Sequence, residues 1–396
     1  MNHVLITGAT GVIGTELVPL FLQSGDCQVS LLIRADSPAH LQTRLDRLYE
    51  YWELTPNDRS LKDRVIAFCG DVSQPRLGLD RNTFDQLGSK LTHVVHCAGN
   101  VKLNQSMDEA RTNTIDPVRH VVELARTSQQ RGIFRKLDVI STIGVAGRMP
   151  GLIPERPLTE SRGFHNTYEA AKAEAEEFLL KQLDEGLPLT IHRPSMVVGN
   201  SRTGRISHFQ VFYYLCEFLT GKRTRGFVVD TGDATLDIVP VDYVAQAIYI
   251  ASRHADAVGK IFHLCSGPEQ AIQLTDLSKR LRAFATTHGE QLPRLRPISD
   301  TLLRRLLPWA TRLSHGDAQR ALKSLPFFLA YLGERQTFDT TNTQAFYATH
   351  ALTLPPVDRY LDRILGFYRK TQETHRNGAV QSSPSRVGEA VAVDRQ

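Results

Sequence analysis

The chain is poor in cysteine, and the few it has follow no pattern. Cys27, Cys69, Cys97, Cys216 and Cys265 are the only five. None stands in C-x-x-C spacing, and an odd count leaves no complete disulfide framework. A reduced, cytoplasmic setting is therefore expected. Long apolar runs are also missing, since none approaches the ~18 residues that a membrane-spanning helix needs. The N-terminus runs directly into a strand, without the order of segments that marks a secretory signal. Charge of one sign is not in excess: 47 Lys and Arg face 42 Asp and Glu, a net of +5 over 396 residues. So small a surplus does not mark a nucleic-acid binder, though it suits anionic partners such as a phosphorylated cofactor. There is no internal repeat and no low-complexity domain, and no metal site is expected. With 41% hydrophobic and 22% charged residues, the chain has ordinary globular composition and enough length for one large core with a smaller attached region.

The first fifteen residues carry the clearest signal. Val4 to Thr7 is a short apolar run, followed by Gly8, Ala9, Thr10, Gly11, Val12, Ile13 and Gly14, and then by a helical stretch to Gln23. A strand, a glycine-rich turn and a helix in that order form a dinucleotide-binding fingerprint. Gly8 permits the turn out of the strand, Gly11 lets a pyrophosphate approach the backbone, and Gly14 lets the helix pack on the sheet. The helix N-terminus offers free N–H groups and a partial positive charge to phosphates. The spacing is G-x-x-G-x-x-G, and Thr10, Val12 and Ile13 complete the loop.

Strand-like and helix-like stretches then alternate. Strands are expected at Gln28 to Ile33, Val65 to Cys69, His93 to Cys97, Leu137 to Ser141 and Leu189 to His192, the last stopped by Pro194. Helices are expected from His40 to Trp52, around Phe84 to Leu87, from Thr114 to Arg126 and from Tyr168 to Gln182. Pro19 predicts either a kink in the first helix or a helix that tolerates a lost hydrogen bond. Such alternation means an α/β fold, a doubly wound parallel sheet covered on both faces. Its ligands lie at the carboxyl ends of the strands, the edge on which Arg34, Asp71, Ala98, Thr142 and Pro194 fall. Past Gly199 the alternation fades. Expected there are a helix at His208 to Leu219, a strand at Leu236 to Pro240, a helix at Val241 to Ser252 and a strand at Ile261 to Leu264. An Arg-rich helical span from Leu274 to Lys323, broken by Pro293, Pro297 and Pro308, and a closing helix at Tyr360 to Lys370 follow. The expected organisation is a cofactor domain over residues 1–270 with an insertion at about 200–235. A mostly helical substrate-binding cap over 271–373 and a disordered tail over 374–396 complete it.

Tyr168 and Lys172 stand four apart on a helix, so they share a face one turn apart. A nearby ammonium stabilises phenolate and lowers the tyrosine pKa, which suits acid–base work. A Ser141-Thr142 step at the end of the fifth strand places a hydroxyl near that tyrosine, where it serves either a substrate carbonyl or a turn cap.

In this order the motifs resemble those of the extended short-chain dehydrogenase/reductases, whose cofactor domain is of the Rossmann type. The matching residues are Thr7 to Gly14, Gly70-Asp71-Val72, His96-Cys97-Ala98-Gly99, Asn113, Ser141-Thr142, Tyr168 to Lys172 and Arg193-Pro194, so the resemblance spans roughly residues 1–270. Leu32-Ile33-Arg34-Ala35, Gly70 to Leu79 and Val139 to Gly147 are similar to stretches of the thioester reductases and fatty acyl reductases, enzymes of lipid metabolism among others. The resemblance implies roles. Thr142, Tyr168, Lys172 and Asn113 would form the catalytic set, with Tyr168 as proton donor, Lys172 lowering its pKa and holding the nicotinamide ribose, and Asn113 organising the site through a water or backbone contact. Asp71 and Val72 would hold the adenine. Ala98 and Gly99 would line the ribose and nicotinamide side, and Pro194 to Val197 would pass near the carboxamide. The step after the fourth strand departs from the family's asparagine-rich form, which leaves the contacts of His96 and Cys97 open. Nothing marks a base for Cys97, so it reads as core.

Arg34 ends the second strand where NAD enzymes tend to place an acid, and an Arg there accommodates a 2′-phosphate. NADPH is the expected cofactor, with Asp36 keeping NADH open. Arg44 either adds a second charge to that phosphate or is a solvated helix face. The expected reaction is reduction of an acyl thioester, on coenzyme A or a carrier protein, to an aldehyde, with a further step to alcohol left open. The alternatives are a dehydrogenase or epimerase of a nucleotide sugar, hydroxysteroid or other small carbonyl, and a silent NADP-binding protein. Arg280, Arg282, Arg294, Arg296, Arg304, Arg305 and Arg312 interleave with Leu302, Leu303, Leu306 and Leu307. That span reads as an amphipathic cover for a lipophilic pocket, a contact for an acidic carrier or a membrane surface, or a solvated basic face. Oligomeric state is not legible.

Overall fold

The computed structural model describes residues 1–298 apart from positions 56, 104 and 223, positions 305 and 312, and residues 336–381. Its centre is a seven-stranded sheet of β1 (Asn2–Thr7), β2 (Cys27–Ile33), β3 (Val65–Cys69), β4 (His93–His96), β5 (Lys136–Ile140), β6 (Leu189–Pro194) and β7 (Ile261–Leu264). The order is β3-β2-β1-β4-β5-β6-β7 and every pairing is parallel. The expected α/β doubly wound sheet is present. Pro194 does not stop β6 short: it pairs with Leu264 at the strand's last position, where a missing N–H interrupts little of the ladder.

Side-chain alternation along the strands divides the core into two halves. Val4 and Ile6 join one cluster with α1 (Val12–Gln23), while Leu5 joins the other with α3 (Arg81–Gly88), α4 (Met107–Gln130) and α5 (Thr167–Asp184). The second helix, α2 (Pro38–Tyr51), also contributes to the first half. α1 runs unbroken past Pro19. A proline at that position deprives the Thr15 carbonyl of its helical donor, and the Trp52 indole N–H supplies one at 2.7 Å.

Beyond β6, α6 (Val211–Leu219) and α7 (Val241–Arg253) follow, and α7 packs along α1. The single strand expected at Leu236 to Pro240 is two short pieces. Thr235–Leu236 pairs antiparallel with Ile272–Gln273, and Ile238–Pro240 pairs parallel with Met196–Val198. The helical span expected from Leu274, with breaks at Pro293 and Pro297, stops earlier than Pro293, and a strand follows it. α8 (Leu274–Thr287) ends where Gly289 takes φ +79°, and Arg296–Ile298 is a strand beside Phe227–Val229. Pro293 and Pro297 leave no room for a continuing helix there. Leu302, Leu303, Arg304, Leu306 and Leu307 lie outside the described residues. The last helices are α9 (Thr341–Ala348) and α10 (Leu361–Gln381). Of the tail expected from residue 374, the stretch up to Gln381 is part of α10. An Arg369–Glu373 pair at 3.5 Å lies one turn apart in α10 and favours continuation of the helix, and residues 382–396 lie outside the described part.

The C-terminal elements do not form a separate core. Phe346, Tyr347, Tyr360, Leu361, Ile364 and Leu365 belong to the same cluster as α1 and α7. Glu155, buried, fastens them to the sheet edge: its carboxylate accepts from His263 N at 2.9 Å, Asn342 N at 2.6 Å and Thr343 N at 3.0 Å.

Candidate active site

The glycine turn has the shape that its spacing implied. Gly8 has φ +73°, and a Cβ there would stand 2.6 Å from the Ala98 nitrogen, so the turn lies directly against the end of β4. A Cβ on Gly14 would stand 2.2 Å from the Gly8 carbonyl oxygen, which is why α1 begins so close to the strand it leaves. Gly11 is the N-cap of α1, and no side chain caps that end. The first-turn amides thus face outward without a protein acceptor, a ready anion site. Those residues fit the diphosphate of a dinucleotide.

Around this turn stand the charges. Arg44, on α2, donates to Thr10 Oγ1 at 3.0 Å and to the Arg34 carbonyl oxygen. It therefore joins the glycine turn to the end of β2. This removes the reading of Arg44 as a solvated helix face. Arg34 itself is exposed and lies 3.9 Å from Asp71. The Asp71 carboxylate also accepts from Ser73 N at 2.9 Å, and its backbone N–H donates to the Leu77 carbonyl at 2.8 Å. That last bond needs an uncommon turn: Arg76, Leu77 and Gly78 have φ of 53°, 60° and 70° in succession. The buried Leu77 side chain anchors it. The neighbouring Val72 carbonyl is held by His120 Nδ1 at 2.9 Å.

The unusual step after β4 is explained by Thr7. Its hydroxyl bonds His96 Nδ1 at 2.8 Å and accepts from Ala98 N at 3.3 Å. Burial, with Lys172 nearby, pushes the His96 pKa down to about 3, so the ring is neutral. Burial raises the Cys97 thiol well above its ordinary range. It is no thiolate, in keeping with its reading as core.

Thr142, Tyr168 and Lys172 come from three different stretches. Thr142 follows β5 and begins a short turn, Ile143–Ala146, whose Gly144 N–H donates to Thr142 Oγ1 at 3.1 Å. The hydroxyl caps the turn by accepting from that N–H. Tyr168 and Lys172 lie in the first turns of α5, whose N-cap is Asn166. Lys172 is buried and donates from Nζ to the Ile140 carbonyl at 3.0 Å, one residue before Ser141. A Cβ on Gly99 would stand 3.5 Å from the same nitrogen. The structure thus gathers Ala98, Gly99, Thr142 and Lys172 at one end of β4 and β5. Pro194, which ends the adjacent strand β6, and Val197, in the short strand Met196–Val198 that follows, are both buried.

Burial, and after it the neighbouring Glu169, raise the Tyr168 pKa, against the lowering that Lys172 would supply. Burial also pulls Lys172 down to about 8, while Glu176 works against that fall. Low polarity penalises phenolate and ammonium alike, so Tyr168 is a protonated phenol at neutral pH.

Asn113 sits in α4 and donates from Nδ2 to Gln105 Oε1 at 3.1 Å. Pro117 lies four residues on in the same helix, so the Asn113 carbonyl has no helical donor. Sequence reasoning missed two contributors. Gln105 carries no motif. Glu176 forms a buried ion pair with Arg193 at 2.6 Å, and only its i+4 spacing from Lys172 could have signalled it. Among the described residues no cluster of three or more metal-ligating side chains occurs. No helix among them is long and apolar enough to cross a membrane.

Residues 6–248 match the male sterility protein family, an NAD-binding family. The chain belongs to that family. It is an oxidoreductase of the extended short-chain dehydrogenase/reductase type, and its cofactor is a nicotinamide dinucleotide. It is similar to pieces of much larger proteins. An isonitrile lipopeptide synthase of Streptomyces coeruleorubidus is 29% identical over 72% of this chain and 19% of that protein. Aldehyde reductase lnaA of Aspergillus flavus is 27% identical over 91% of this chain and 35% of that protein. The chain thus spans about a fifth to a third of these curated relatives. Among solved structures, the terminal R domain of the myxalamid PKS-NRPS pathway superposes with a TM-score of 0.77 at 25% identity. It covers 95% of this chain and 91% of that one. A reductase domain of a nonribosomal peptide synthetase from Mycobacterium tuberculosis shares the fold, with a TM-score of 0.70 at 20% identity, covering 95% of this chain and 92% of that one.

Proposed function

We propose that this chain is an NADPH-dependent reductase that converts an acyl thioester, borne on a carrier protein or on coenzyme A, into an aldehyde. The observation that carries this reading is that Lys172, one turn after Tyr168 on α5, reaches both Gly99 and the Ile140 carbonyl at the end of β5, the strand that leads into Thr142. The near full-length likeness to a terminal R domain supports the thioester. Arg34 and Arg44, at the end of β2, are the residues to hold a 2′-phosphate, and the uncapped start of α1 holds the diphosphate. Asp71 and Val72 border the adenine, and Ala98, Gly99, Pro194 and Val197 border the nicotinamide side.

When bound, the dihydronicotinamide supplies the hydride. Thr142 donates its free proton to the substrate carbonyl oxygen, where negative charge develops. Tyr168, kept protonated by its surroundings, transfers its proton to that oxygen. Lys172 holds the ribose and steadies the phenolate left behind, and Asn113 organises the site. The resulting hemithioacetal loses its C–S bond, so the sulfur leaves with a proton as free thiol and the carbon becomes an aldehyde.

The test is a spectrophotometric panel. Purified protein is mixed with NADPH or NADH and with acyl-CoA, acyl-carrier, aldehyde and sugar-nucleotide substrates, and nicotinamide absorbance and free thiol are followed. NADPH oxidation matched by thiol release, and abolished in Tyr168→Phe, is expected. Turnover with sugar nucleotides alone would overturn the thioester reading. Binding without any turnover, unaltered by Tyr168→Phe, would overturn catalysis.

A further inference from the structure

Two helices that carry site residues meet on Gln105. From α4, Asn113 Nδ2 donates to Gln105 Oε1 at 3.1 Å. From α5, Thr167 Oγ1 donates to the Gln105 backbone carbonyl at 2.9 Å. Thr167 is the first residue of α5 and immediately precedes Tyr168. Neither bond is needed to finish a helix end. Asn166 caps α5, and a Ser106–Glu109 capping box closes α4. The Gln105 side chain is buried, and its Nε2 has no hydrogen-bond partner among the described residues. A residue that served only to fill this space would be apolar, since a buried amide with unmet donors is unfavourable. What the carboxamide provides here is its oxygen, and that oxygen holds Asn113 at the point where Pro117 opens the α4 ladder.

We propose that Gln105 is a positioning residue of the reduction, fixing Asn113 and the start of α5 against each other so that the Tyr168 phenol stays aligned with the Thr142 hydroxyl. This rests on the reading of Tyr168 as proton donor. Gln105 touches neither reacting group; it acts through Asn113 on one side and Thr167 on the other.

The experiment is a double-mutant cycle on the whole protein with an acyl-CoA thioester and NADPH. Gln105→Met keeps the volume and removes the acceptor; it is expected to lower kcat about 10- to 100-fold, the scale of a misplaced reacting group. KM for NADPH should stay within about twofold of wild type, since cofactor binding is not what the residue serves. Gln105→Glu keeps an acceptor for Asn113 Nδ2 and is expected to recover most of kcat. In an Asn113→Ala background, Gln105→Met should lower kcat much less than it does alone, because its main route of action is gone. The proposal is overturned if Gln105→Met leaves kcat unchanged, if its loss is the same in both backgrounds, or if Gln105→Glu does no better than Met. If the wild type turns over no thioester or aldehyde, the functional reading has failed instead. Gln105→Met is then judged by near-ultraviolet titration of Tyr168, taken as the difference from Tyr168→Phe. A moved phenol midpoint supports the positioning role, and an unmoved one overturns it.

Discussion

Lys172→Met is expected to make the protein more stable at neutral pH while removing its activity. The ammonium is buried, and its pKa falls from 10.5 to about 8. A lysine with a lowered folded pKa binds protons less readily when folded than when unfolded, so its cost is fully present below pH 8. That cost is relieved as the pH rises toward 10.5. Below that window the 2.5-unit depression corresponds to about 3 kcal/mol. At pH 10 less than about 1 kcal/mol of it remains. Methionine fills a similar volume without charge, but it gives up the bond from Nζ to the Ile140 carbonyl at 3.0 Å, a loss of about 1 kcal/mol. Glu176 is not orphaned by the change, because Arg193 still holds it at 2.6 Å. The net expectation is a variant more stable than wild type by about 2 kcal/mol at pH 7 and roughly equal at pH 10. Urea unfolding of both proteins at the two pH values measures it, and other titrating groups cancel in the difference. If the stability difference is the same at pH 7 and pH 10, Lys172 is not a burial-depressed ammonium. The low-polarity environment inferred for Lys172 and Tyr168 together would then lose its support.

Other substitutions probe the rest of the site. Gly8→Ala forces a side chain into φ +73° and against the Ala98 backbone; it is expected to cost about 2 kcal/mol or more in urea unfolding and to abolish NADPH binding by fluorescence titration. Arg193→Met leaves the Glu176 carboxylate buried without its partner, which is expected to cost about 3–5 kcal/mol. Adding Glu176→Gln should return much of that by the same unfolding assay. Arg44→Ala cuts the link from Thr10 to the end of β2 and removes a charge from the proposed phosphate site. KM for NADPH is expected to rise about tenfold or more, with a smaller change for NADH; equal changes for both would remove Arg44 from cofactor discrimination.

The legible parts of this chain are those whose cause is local. Gly8, Gly11 and Gly14 are written in the sequence because a tight turn and a close helix each demand a residue without a Cβ. The parallel sheet follows from the alternation of buried strands and helices that pack on both faces. The less legible parts depend on partners far away in the chain. Pro19 predicts a lost hydrogen bond, but nothing near it names Trp52 as the replacement donor. Arg44 looks the same in sequence whether solvated or bonded to Thr10. Pro293 announces the break after α8, but the strand at Arg296–Ile298 depends on its pairing with Phe227–Val229, far back in the chain. His96 and Cys97 broke the expected pattern, and only the Thr7 hydroxyl, 89 residues away, shows how His96 is accommodated.

The same contrast governs the helix at the centre of the chemistry. Tyr168, Lys172 and Glu176 are spaced i, i+4, i+8, so they share one face of α5. The first two are recognisable as a pair because a phenol and an amine one turn apart suggest proton chemistry. Glu176 looks like one more acid in an Ala- and Glu-rich helix. Its meaning comes from β6, where Arg193 is almost fully buried and places its guanidinium on that carboxylate. With its charge shared in this way, Glu176 offsets the fall in the Lys172 pKa without drawing the ammonium away from the Ile140 carbonyl. A free Glu176 would instead compete for that ammonium as an ion-pair partner. Arg193 thus acts on Lys172 at one remove, and the lysine stays on the Ile140 carbonyl beside Gly99 instead of becoming half of an ion pair.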